Sequence, residues 1–366
     1  MSSAIFLAGV GIVYGVANTL NMAHLSVVRR EGAVQSPELV MALALLFLLA
    51  FGIKSAIFPL FFWLPASYAT PPAAVSALFA GLLTKVGVYS LVRVFTLVFP
   101  AVPAPHGLFW VILVLACLTM LTGVAGAVAQ MEFRRILSFH SISQIGYMVL
   151  GLGLLLAPTP AARTLALAAA LIYMVHHSIV KGNLFLISGV TRRLGGTYEL
   201  KPLGGLSGSA PWLAGLFLVS ALSLAGLPPL SGFWAKLAVV RAGVDGVQYL
   251  AVAAALVTGL LTLLSMVKIW NEAFWKPAPA PLTGRLPRGR RRVALFAPIV
   301  LLAGLTVGLG VWPQPLIELA ERAGAQVLDT QAYIDAVGSA LPASPGPVEA
   351  GVAAWVGAEE GPCTPS

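Results

Sequence analysis

Charged side chains are scarce in this chain, and acidic ones are scarcer than basic ones. Only 10% of the 366 residues are charged, whereas 58% are hydrophobic and the mean hydropathy is +0.91. Soluble domains carry about 25% charged residues, so this composition excludes a soluble globular protein and indicates a polytopic membrane protein. The net charge of +9 does not indicate nucleic-acid binding, because the basic residues cluster in short loops, most densely at Arg285, Arg288 and Arg290–Arg292.

Several kinds of chemistry lack the residues that they require. The two cysteines, Cys117 and Cys363, imply no disulfide framework. The sequence contains no zinc pattern, glycine-rich phosphate loop, catalytic triad or haem attachment motif. The centres of the apolar spans hold no Asp or Glu, so they offer no carboxylate cage for Na⁺, whereas their lysines and histidines suit protons. We therefore expect no cofactor, no metal site and no redox catalysis on this chain.

Long apolar segments occupy most of the sequence, and about 20 apolar residues suffice to cross a bilayer as a helix. The sequence predicts an all-α polytopic membrane helix bundle of about nine transmembrane spans. They lie near residues 3–19, 38–64, 71–99, 108–129, 135–157, 162–190, 211–241, 247–274 and 293–312. The predicted membrane domain is 1–312. The remaining segment, 313–366, predicts a short amphipathic helix or two followed by a disordered tail beyond Pro342.

Basic loops predict the orientation of the spans. The loops near Arg134, Arg192 and Lys276 are rich in Lys and Arg and alternate along the chain. We assign them to the cytoplasm, since cytoplasmic loops of membrane proteins carry an excess of basic residues. This assignment places the C-terminus outside and the N-terminus inside.

Two of the spans contain helix-breaking residues. Proline donates no backbone hydrogen bond, so each break frees carbonyls that need protein or water partners. Discontinuous helices in membranes usually line a site or an aqueous path, and two of them about 180 residues apart suggest an internal repeat. The residues at the breaks are Pro59 and Pro65 after Lys54, and Pro228, Pro229 and Gly232 before Lys236.

Isolated lysines within the spans are candidates for a proton path. Lys54 lies near the middle of the apolar stretch Leu39–Leu64, and Lys85 lies about half-way along the next span. A lysine near the centre of a membrane helix costs roughly 2.5–3.5 kcal/mol, and such residues commonly mark ion or proton pathways. Snorkelling to an interface is the alternative, and it is harder for the central Lys54. Lys236 occupies the equivalent place in the second broken span.

Histidines accompany these lysines. His177 and Lys181 are four residues apart, so they share a helix face and form a plausible proton wire. His176 points about 100° away from His177, and we interpret it as structural. His140 begins a polar stretch that could hold water or bond to neighbouring helices. Lys268 and Glu272 are also four apart.

We interpret Lys268 and Glu272 as a structural pair at the cytoplasmic end of their span. The predicted proton relay therefore consists of Lys54, Lys85, His140, His177, Lys181 and Lys236.

Five motifs carry a family resemblance, in the order expected for that family. They read FGIKSAIFPLFFWLPASYATPPAAVSALFAGLLTKVGVYSLVRV, EFRRILSFHSISQIGYMVLGLGL, HHSIVKGNLFLISG, GLPPLSGFWAK and KIWNEAFWK. They resemble the antiporter-like subunits of respiratory complex I, and most closely the D subunits of Mrp-type multisubunit sodium/proton antiporters, over about residues 1–340.

The resemblance implies two inverted five-helix repeats, each with one broken helix and a proton half-channel, joined by a polar axis at the membrane midplane. In this chain the second repeat would cover about 108–275 and the first would be incomplete. Lys54 and Lys85 would be the channel and connecting lysines of the first repeat. His177 and Lys181 would be the axis pair, and Lys236 would end the second half-channel.

The first helices of the family pattern have no counterpart in this sequence. One of them carries a buried glutamate that pairs with the Lys54 position. The opening MSSAIFLAG resembles an internal family segment, so we hypothesise an N-terminally truncated chain.

The preferred function is a proton-translocating subunit of a multisubunit Na⁺ (or K⁺)/H⁺ antiporter in the inner or plasma membrane of the cell. Such a chain is a transporter subunit rather than an enzyme on its own. Its partners would be other antiporter subunits and the lipid bilayer. One alternative is a membrane-arm subunit of an NADH-quinone oxidoreductase or a related hydrogenase. The other is a remnant that only scaffolds partner subunits.

Overall fold

The computed structural model describes residues 1–30, 37–99, 106–279, 284 and 286–338. Regular structure within these residues is helical, apart from one isolated bridge between Glu132 and Glu199. The helices are α1 (Ser2–Ala17), α2 (Met22–Arg30), α3 (Pro37–Ser55), α4 (Trp63–Ala69), α5 (Ala73–Leu78), α6 (Thr84–Arg93), α7 (His106–Ala129), α8 (Phe133–Gly153), α9 (Pro160–Gly195), α10 (Leu206–Ser209), α11 (Pro211–Ala225), α12 (Ser231–Asp245), α13 (Tyr249–Ile269), α14 (Arg290–Val311), α15 (Gln314–Leu328) and α16 (Thr330–Gly338).

The predicted all-α membrane fold is confirmed, with a slightly different number of spans. Among the described residues, seven helices are long and apolar enough to cross a membrane, and eight if the bent pair α1 and α2 is one span. Our prediction of about nine also counted 211–241 as one span. The structure divides that segment into α11 and α12, each 15 residues long. Neither reaches the roughly 20 residues that a bilayer requires.

The first predicted break follows α3 directly. Helix α3 ends at Ser55, and the chain is not helical again until Trp63. Pro59 lies in this gap as expected, but Pro65 does not break the chain, because it occupies the first turn of α4, where proline is tolerated. Two backbone groups that have no helical partner at this break are bonded to side chains. The indole nitrogen of Trp63 donates to the carbonyl of Ile53 at 2.8 Å, and the Phe58 N–H donates to Thr119 Oγ1 at 2.9 Å.

The second break separates α11 from α12. Gly226 ends α11 with a φ of 95°, a conformation that favours glycine. Pro228 and Pro229 lie between the two helices, whereas Gly232 is already the second residue of α12. A Cβ atom on Gly232 would lie only 1.8 Å from the carbonyl oxygen of Ser223. Glycine at position 232 therefore allows α12 to begin directly against the last turn of α11.

Helices α7, α8 and α9 form the centre of the bundle. Helix α8 is buried along nearly its whole length, and α9 extends over 36 residues. Close packing of α7 on α8 depends on glycine, since a Cβ on Gly123 would lie 2.4 Å from the backbone nitrogen of Ser143. Helices α5 and α6 pack against this centre, and so do α11 to α13.

The basic loops gather at one end of the bundle, which is consistent with the orientation predicted from their charge. The Leu200 N–H donates to the carbonyl of Met131 at 2.9 Å, and the Gly205 N–H donates to that of Lys276 at 2.7 Å. Residues 130–132, 196–205 and 276–279 are therefore neighbours. We call this the basic-loop end of the bundle.

Arg134, which we counted among the basic loop residues that predict the orientation, does not face solvent. Its side chain is buried. Its guanidinium donates to the carbonyls of Tyr68 at 2.9 Å and Pro71 at 2.5 Å, and to Ser76 Oγ at 2.5 Å. It also lies over the ring of Tyr198, 4.7 Å from the centroid. Arg134 thus fastens the turn between α4 and α5 to the start of α8.

The segment after α14 forms two helices at the opposite end of the bundle. Helix α15 packs on the beginning of α9, and α16 packs on α2. Arg93 of α6 lies over the ring of Tyr333 at 4.0 Å. The predicted disordered tail lies outside the described residues, as does Arg285 of the arginine cluster.

Candidate functional site

His177 and Lys181 lie at the centre of the buried polar groups. Both side chains are fully buried on α9. Lys181 Nζ donates to the carbonyl of Leu137 on α8 at 2.8 Å. Neither ring nitrogen of His177 has a hydrogen-bond partner among the described residues. A buried polar atom without a partner is costly, so a histidine kept in this state is a candidate for proton exchange rather than for packing alone.

Lys85 joins this pair from the neighbouring helix. A π-helical turn, Phe79–Leu83, precedes it, and its buried amine donates back to the carbonyl of Ala80. Such π-helical turns frequently occur at functional sites. Ser178 of α9 donates to the carbonyl of Gly81 at 2.7 Å, which holds the two helices together. Lys85 consequently interacts electrostatically with both His177 and Lys181.

His140 connects the α9 pair with the rest of the bundle. It is fully buried on α8, and its Nε2 is 2.6 Å from Ser265 Oγ of α13. Its ring interacts electrostatically with Lys181, Lys236 and Lys268. Lysines from three helices therefore act electrostatically on one histidine, which belongs to the relay predicted from the sequence.

Lys236 occupies the second break. Its amine donates to the carbonyl of Ala225, the last residue of α11, at 2.7 Å. It also lies over the ring of Tyr147, 5.5 Å from the centroid. A Cβ on Gly226 would be 2.6 Å from its Cδ atom, and one on Gly259 would be 3.4 Å from Nζ. Gly226 and Gly259 therefore provide the space that the Lys236 side chain occupies. The Lys236 amine bonds to the carbonyl of Ala225, which has no helical partner because α11 ends there.

His176, which we interpreted as structural, also faces this break. Its ring is fully buried, and its Nδ1 is 2.9 Å from Ser231 Oγ at the start of α12. Ser231 Oγ is in turn 3.2 Å from Ser223 Oγ on α11. His176 interacts electrostatically with Lys236. The 100° offset from His177 directs His176 towards α12, and its bond to Ser231 also fits the structural role that we assigned to it.

A tyrosine pair that the sequence did not single out lies beside Lys236 and His176. The rings of Tyr147 and Tyr173 stack at a centroid distance of 4.8 Å. The Tyr173 hydroxyl donates to Gln144 Oε1, and the Tyr147 hydroxyl donates to the carbonyl of Ala255 at 2.5 Å. His140, Gln144 and Tyr147 are spaced to share one face of α8. That spacing could have identified Tyr147 from the sequence as a neighbour of the other two polar residues. A tyrosine within an apolar span, however, is first interpreted as core packing.

Lys54 is not part of this cluster. The expectation of a buried lysine at the middle of a span is wrong for the described chain, because α3 ends one residue later and the Lys54 side chain is exposed. Its backbone is close to helix α6. A Cβ on Gly87, two residues beyond Lys85, would lie 3.1 Å from the carbonyl carbon of Lys54.

Lys268 and Glu272 interact electrostatically, as the suggested pairing requires, but each has a closer bonded partner. Lys268 Nζ donates to the carbonyls of Val128 and Gln130, both at 2.6 Å, at the end of α7. Glu272 instead forms an ion pair with Lys276 at 2.5 Å. Within the described ranges, no group of three or more His, Cys, Asp or Glu side chains could hold a metal ion.

The geometry defines a class of protein: a polytopic helix bundle whose interior holds titratable side chains from several helices in mutual electrostatic range. A family model described as "NADH:quinone oxidoreductase/Mrp antiporter, TM" matches residues 1–262. The chain therefore belongs to this family of membrane proteins.

Named relatives agree with the family assignment. The chain is 46% identical over 338 residues to the D subunit of an Na(+)/H(+) antiporter of Alkalihalophilus pseudofirmus, covering 92% of this chain and 65% of that protein. It is 35% identical to the N subunit of an NADH-quinone oxidoreductase of Desulforudis audaxviator, covering 85% and 61%. A chain in the structure of the Mrp complex from Dietzia sp. matches with a TM-score of 0.80 and 37% identity, covering 92% and 67%. The chain thus spans slightly less than two thirds of the length of these curated relatives.

Proposed function

We propose that this chain is a proton-translocating membrane subunit of a multisubunit monovalent cation/proton antiporter, with Na⁺ as the expected cation and K⁺ as the variant. The observation that carries the proposal is the series Lys85, His177, Lys181, His140 and Lys236, in which each member interacts electrostatically with at least one other. The first four side chains are buried, and Lys236 is half-buried. Lysine and histidine can each exchange a proton when they are removed from water, and intramembrane groups of this kind mark proton relays.

The order of these residues through the bundle follows from the helices that carry them. Lys85 belongs to α6, two helices beyond α4, which follows the first break. Lys236 belongs to α12, which begins directly after the second break. The α9 pair and His140 lie between them. We propose that protons move along this line between the two broken spans, and that the chain acts as a transporter subunit rather than as an enzyme by itself.

We also propose that Lys54 is a member of the proton relay, at the first break. Its exposed side chain shows that the described residues alone do not enclose it. A role for Lys54 therefore requires a covering that other protein or lipid supplies, whereas contacts within this chain support a role for the other five residues.

Partner subunits belong to the proposal as well. The Alkalihalophilus relative is named as one subunit of an antiporter, and the Dietzia structure is that of an Mrp complex, so both names refer to assemblies. Large apolar side chains cover much of the outer surface of the bundle, including Leu260 and Leu264 on α13. Such a surface suits contact with lipid and with neighbouring membrane subunits.

The test is Na⁺-dependent dissipation of ΔpH in everted vesicles of an antiporter-deficient host, with the chain expressed together with its neighbouring genes. Lys181→Ala and Lys236→Ala should each abolish exchange, by about 100-fold or more, while the complex still assembles. Lys54→Ala is expected to do the same. Lys201→Ala is the matched control, because Lys201 is an exposed lysine of the basic-loop end. Wild-type exchange in both Lys181→Ala and Lys236→Ala would contradict the proton relay.

A second candidate is a membrane-arm subunit of a redox-driven complex. The 35% identity to a subunit of an NADH-quinone oxidoreductase favours it. In that case proton movement would require electron transfer in partner subunits and would not depend on Na⁺. Neighbouring genes for iron–sulfur and flavin subunits would support this candidate. If the chain only scaffolds its partners, the complex should exchange at the wild-type rate with Lys181→Ala and with Lys236→Ala.

A further inference from the structure

Helix α13 and the turn that follows it carry a polar stripe that the relay does not use. Ser265 and Lys268 are three residues apart on α13, which places them on one side of that helix. Glu272 lies in the π-helical turn Trp270–Trp275 that follows, and it bonds Lys276 directly after that turn at 2.5 Å. The opposite side is apolar and exposed, with Leu260, Leu264 and Val267 among its residues.

The inner end of the stripe is bonded to His140. Ser265 Oγ is buried and lies 2.6 Å from His140 Nε2. The same hydroxyl donates to the carbonyl of Thr262 at 2.9 Å. A serine hydroxyl has one proton and two lone pairs, so it can receive a proton from the imidazole and release its own. Helix packing alone does not require this contact, since a methyl group would fill the same place.

The outer end of the stripe reaches the basic-loop end of the bundle. Lys268 is half-buried and contacts the carbonyls of Val128 and Gln130, next to the turn that begins α8. Glu272 and Lys276 follow, with 24% and 26% of their side chains exposed. The stripe therefore runs from the partly solvated surface to a fully buried histidine.

We propose that the face formed by Ser265, Lys268 and Glu272 is a proton conduit between the basic-loop end and His140. This inference rests on the proposed role of the lysine–histidine series as a proton relay. In one direction the His140 imidazolium passes its Nε2 proton to Ser265 Oγ and becomes a neutral ring, while the hydroxyl proton of Ser265 passes to the neutral amine of Lys268. The resulting ammonium passes a proton to the Glu272 carboxylate, which releases it to water. Each step breaks one N–H or O–H bond and forms another, so the charge balances.

Ser265 gives the sharpest test, because removal of its hydroxyl leaves the helix otherwise unchanged. Ser265→Ala should slow Na⁺-dependent exchange by about tenfold per assembled complex, and Ser265→Thr, which keeps a hydroxyl, should restore most of the rate. The matched control is Thr306→Ala on α14, a buried hydroxyl that bonds to its own helix at the carbonyl of Leu302. It should leave exchange unchanged.

Lys268 is tested by replacing its amine chemically. Lys268→Cys should exchange slowly. Labelling from the bath side of everted vesicles with aminoethyl methanethiosulfonate, which places an amine on the new thiol, should restore exchange. Neutral methyl methanethiosulfonate should not restore it. If the lysine only filled space, the two labels would give the same rate.

Two outcomes separate this inference from the function on which it rests. If Lys181→Ala abolishes exchange while Ser265→Ala and Lys268→Cys exchange at the wild-type rate per assembled complex, the conduit is wrong and the relay stands. Slow variants that neither Ser265→Thr nor the amine label restores also overturn the conduit. If Lys181→Ala itself exchanges normally, the proposed function fails.

Discussion

Gly232 is the residue on which the second broken span depends most directly. An added Cβ would lie 1.8 Å from the Ser223 carbonyl oxygen and 2.8 Å from His176 Cε1. Because the nearer atom belongs to the backbone, no side-chain rotation relieves the clash, and α12 must move by about 1 Å or more to restore van der Waals contact. Gly232→Ala therefore perturbs the position of both His176 and Lys236.

The expected magnitude combines two opposing effects. Overpacking a well-packed core costs typically about 1–3 kcal/mol, and the backbone contact places this case at the upper end. Alanine is favoured over glycine inside a helix by about 1 kcal/mol. We expect a net destabilisation of about 2 kcal/mol. Exchange should fall by about tenfold or more, since a misplacement of about 1 Å can cost 10²-fold in rate.

Gly215→Ala is the matched control, because Gly215 lies on α11 of the same broken span and a Cβ there would meet no atom within 4 Å. The two variants would be compared by thermal unfolding of the detergent-solubilised protein and by exchange in everted vesicles. Gly215→Ala should be neutral or slightly stabilising in both. Equal stability and equal exchange rates for the two variants would refute the close approach of α12 to α11.

Two further predictions concern the basic-loop end. Arg134→Gln should destabilise the protein by about 3 kcal/mol or more, because it leaves the Tyr68 and Pro71 carbonyls without their charged donor. The control Arg135→Gln, at an exposed position, should change the melting temperature little. Similar melting of both variants would contradict the role of Arg134 in holding the turn between α4 and α5 against α8. Burial raises the pKa of the Glu132 carboxyl, although the backbone N–H groups of Arg135 and Arg134 oppose the shift. Deprotonation then disfavours the folded state, so the contribution of Glu132 to stability is present below its unfolded pKa and is lost as pH rises through the raised value. Glu132→Gln should remove this part of the pH dependence of melting. Identical profiles of melting temperature against pH for the wild type and Glu132→Gln would argue against this contribution.

Part of the site was predictable because lysine inside an apolar span is costly in any membrane fold. Lys85, Lys181 and Lys236 stand out for that reason, and the i, i+4 spacing of His177 and Lys181 places them on one face before any packing is known. The breaks at Pro59 and at Pro228–Pro229 were equally accessible, since proline removes a backbone donor wherever it occurs. Pro65 and Gly232 were misassigned because both residues are acceptable in the first turn of a helix.

The sequence by itself determined the all-helical membrane class, the family, the two breaks and the costly cations, since each depends on composition, local spacing or recognisable motifs. Only the tertiary structure decided which polar groups meet. The contacts of His140 with Ser265 and of His176 with Ser231 join residues 125 and 55 positions apart, and no local pattern encodes such distances. Packing likewise buried Arg134 and left Lys54 exposed, because burial is a property of the neighbours that a helix acquires and not of its own sequence.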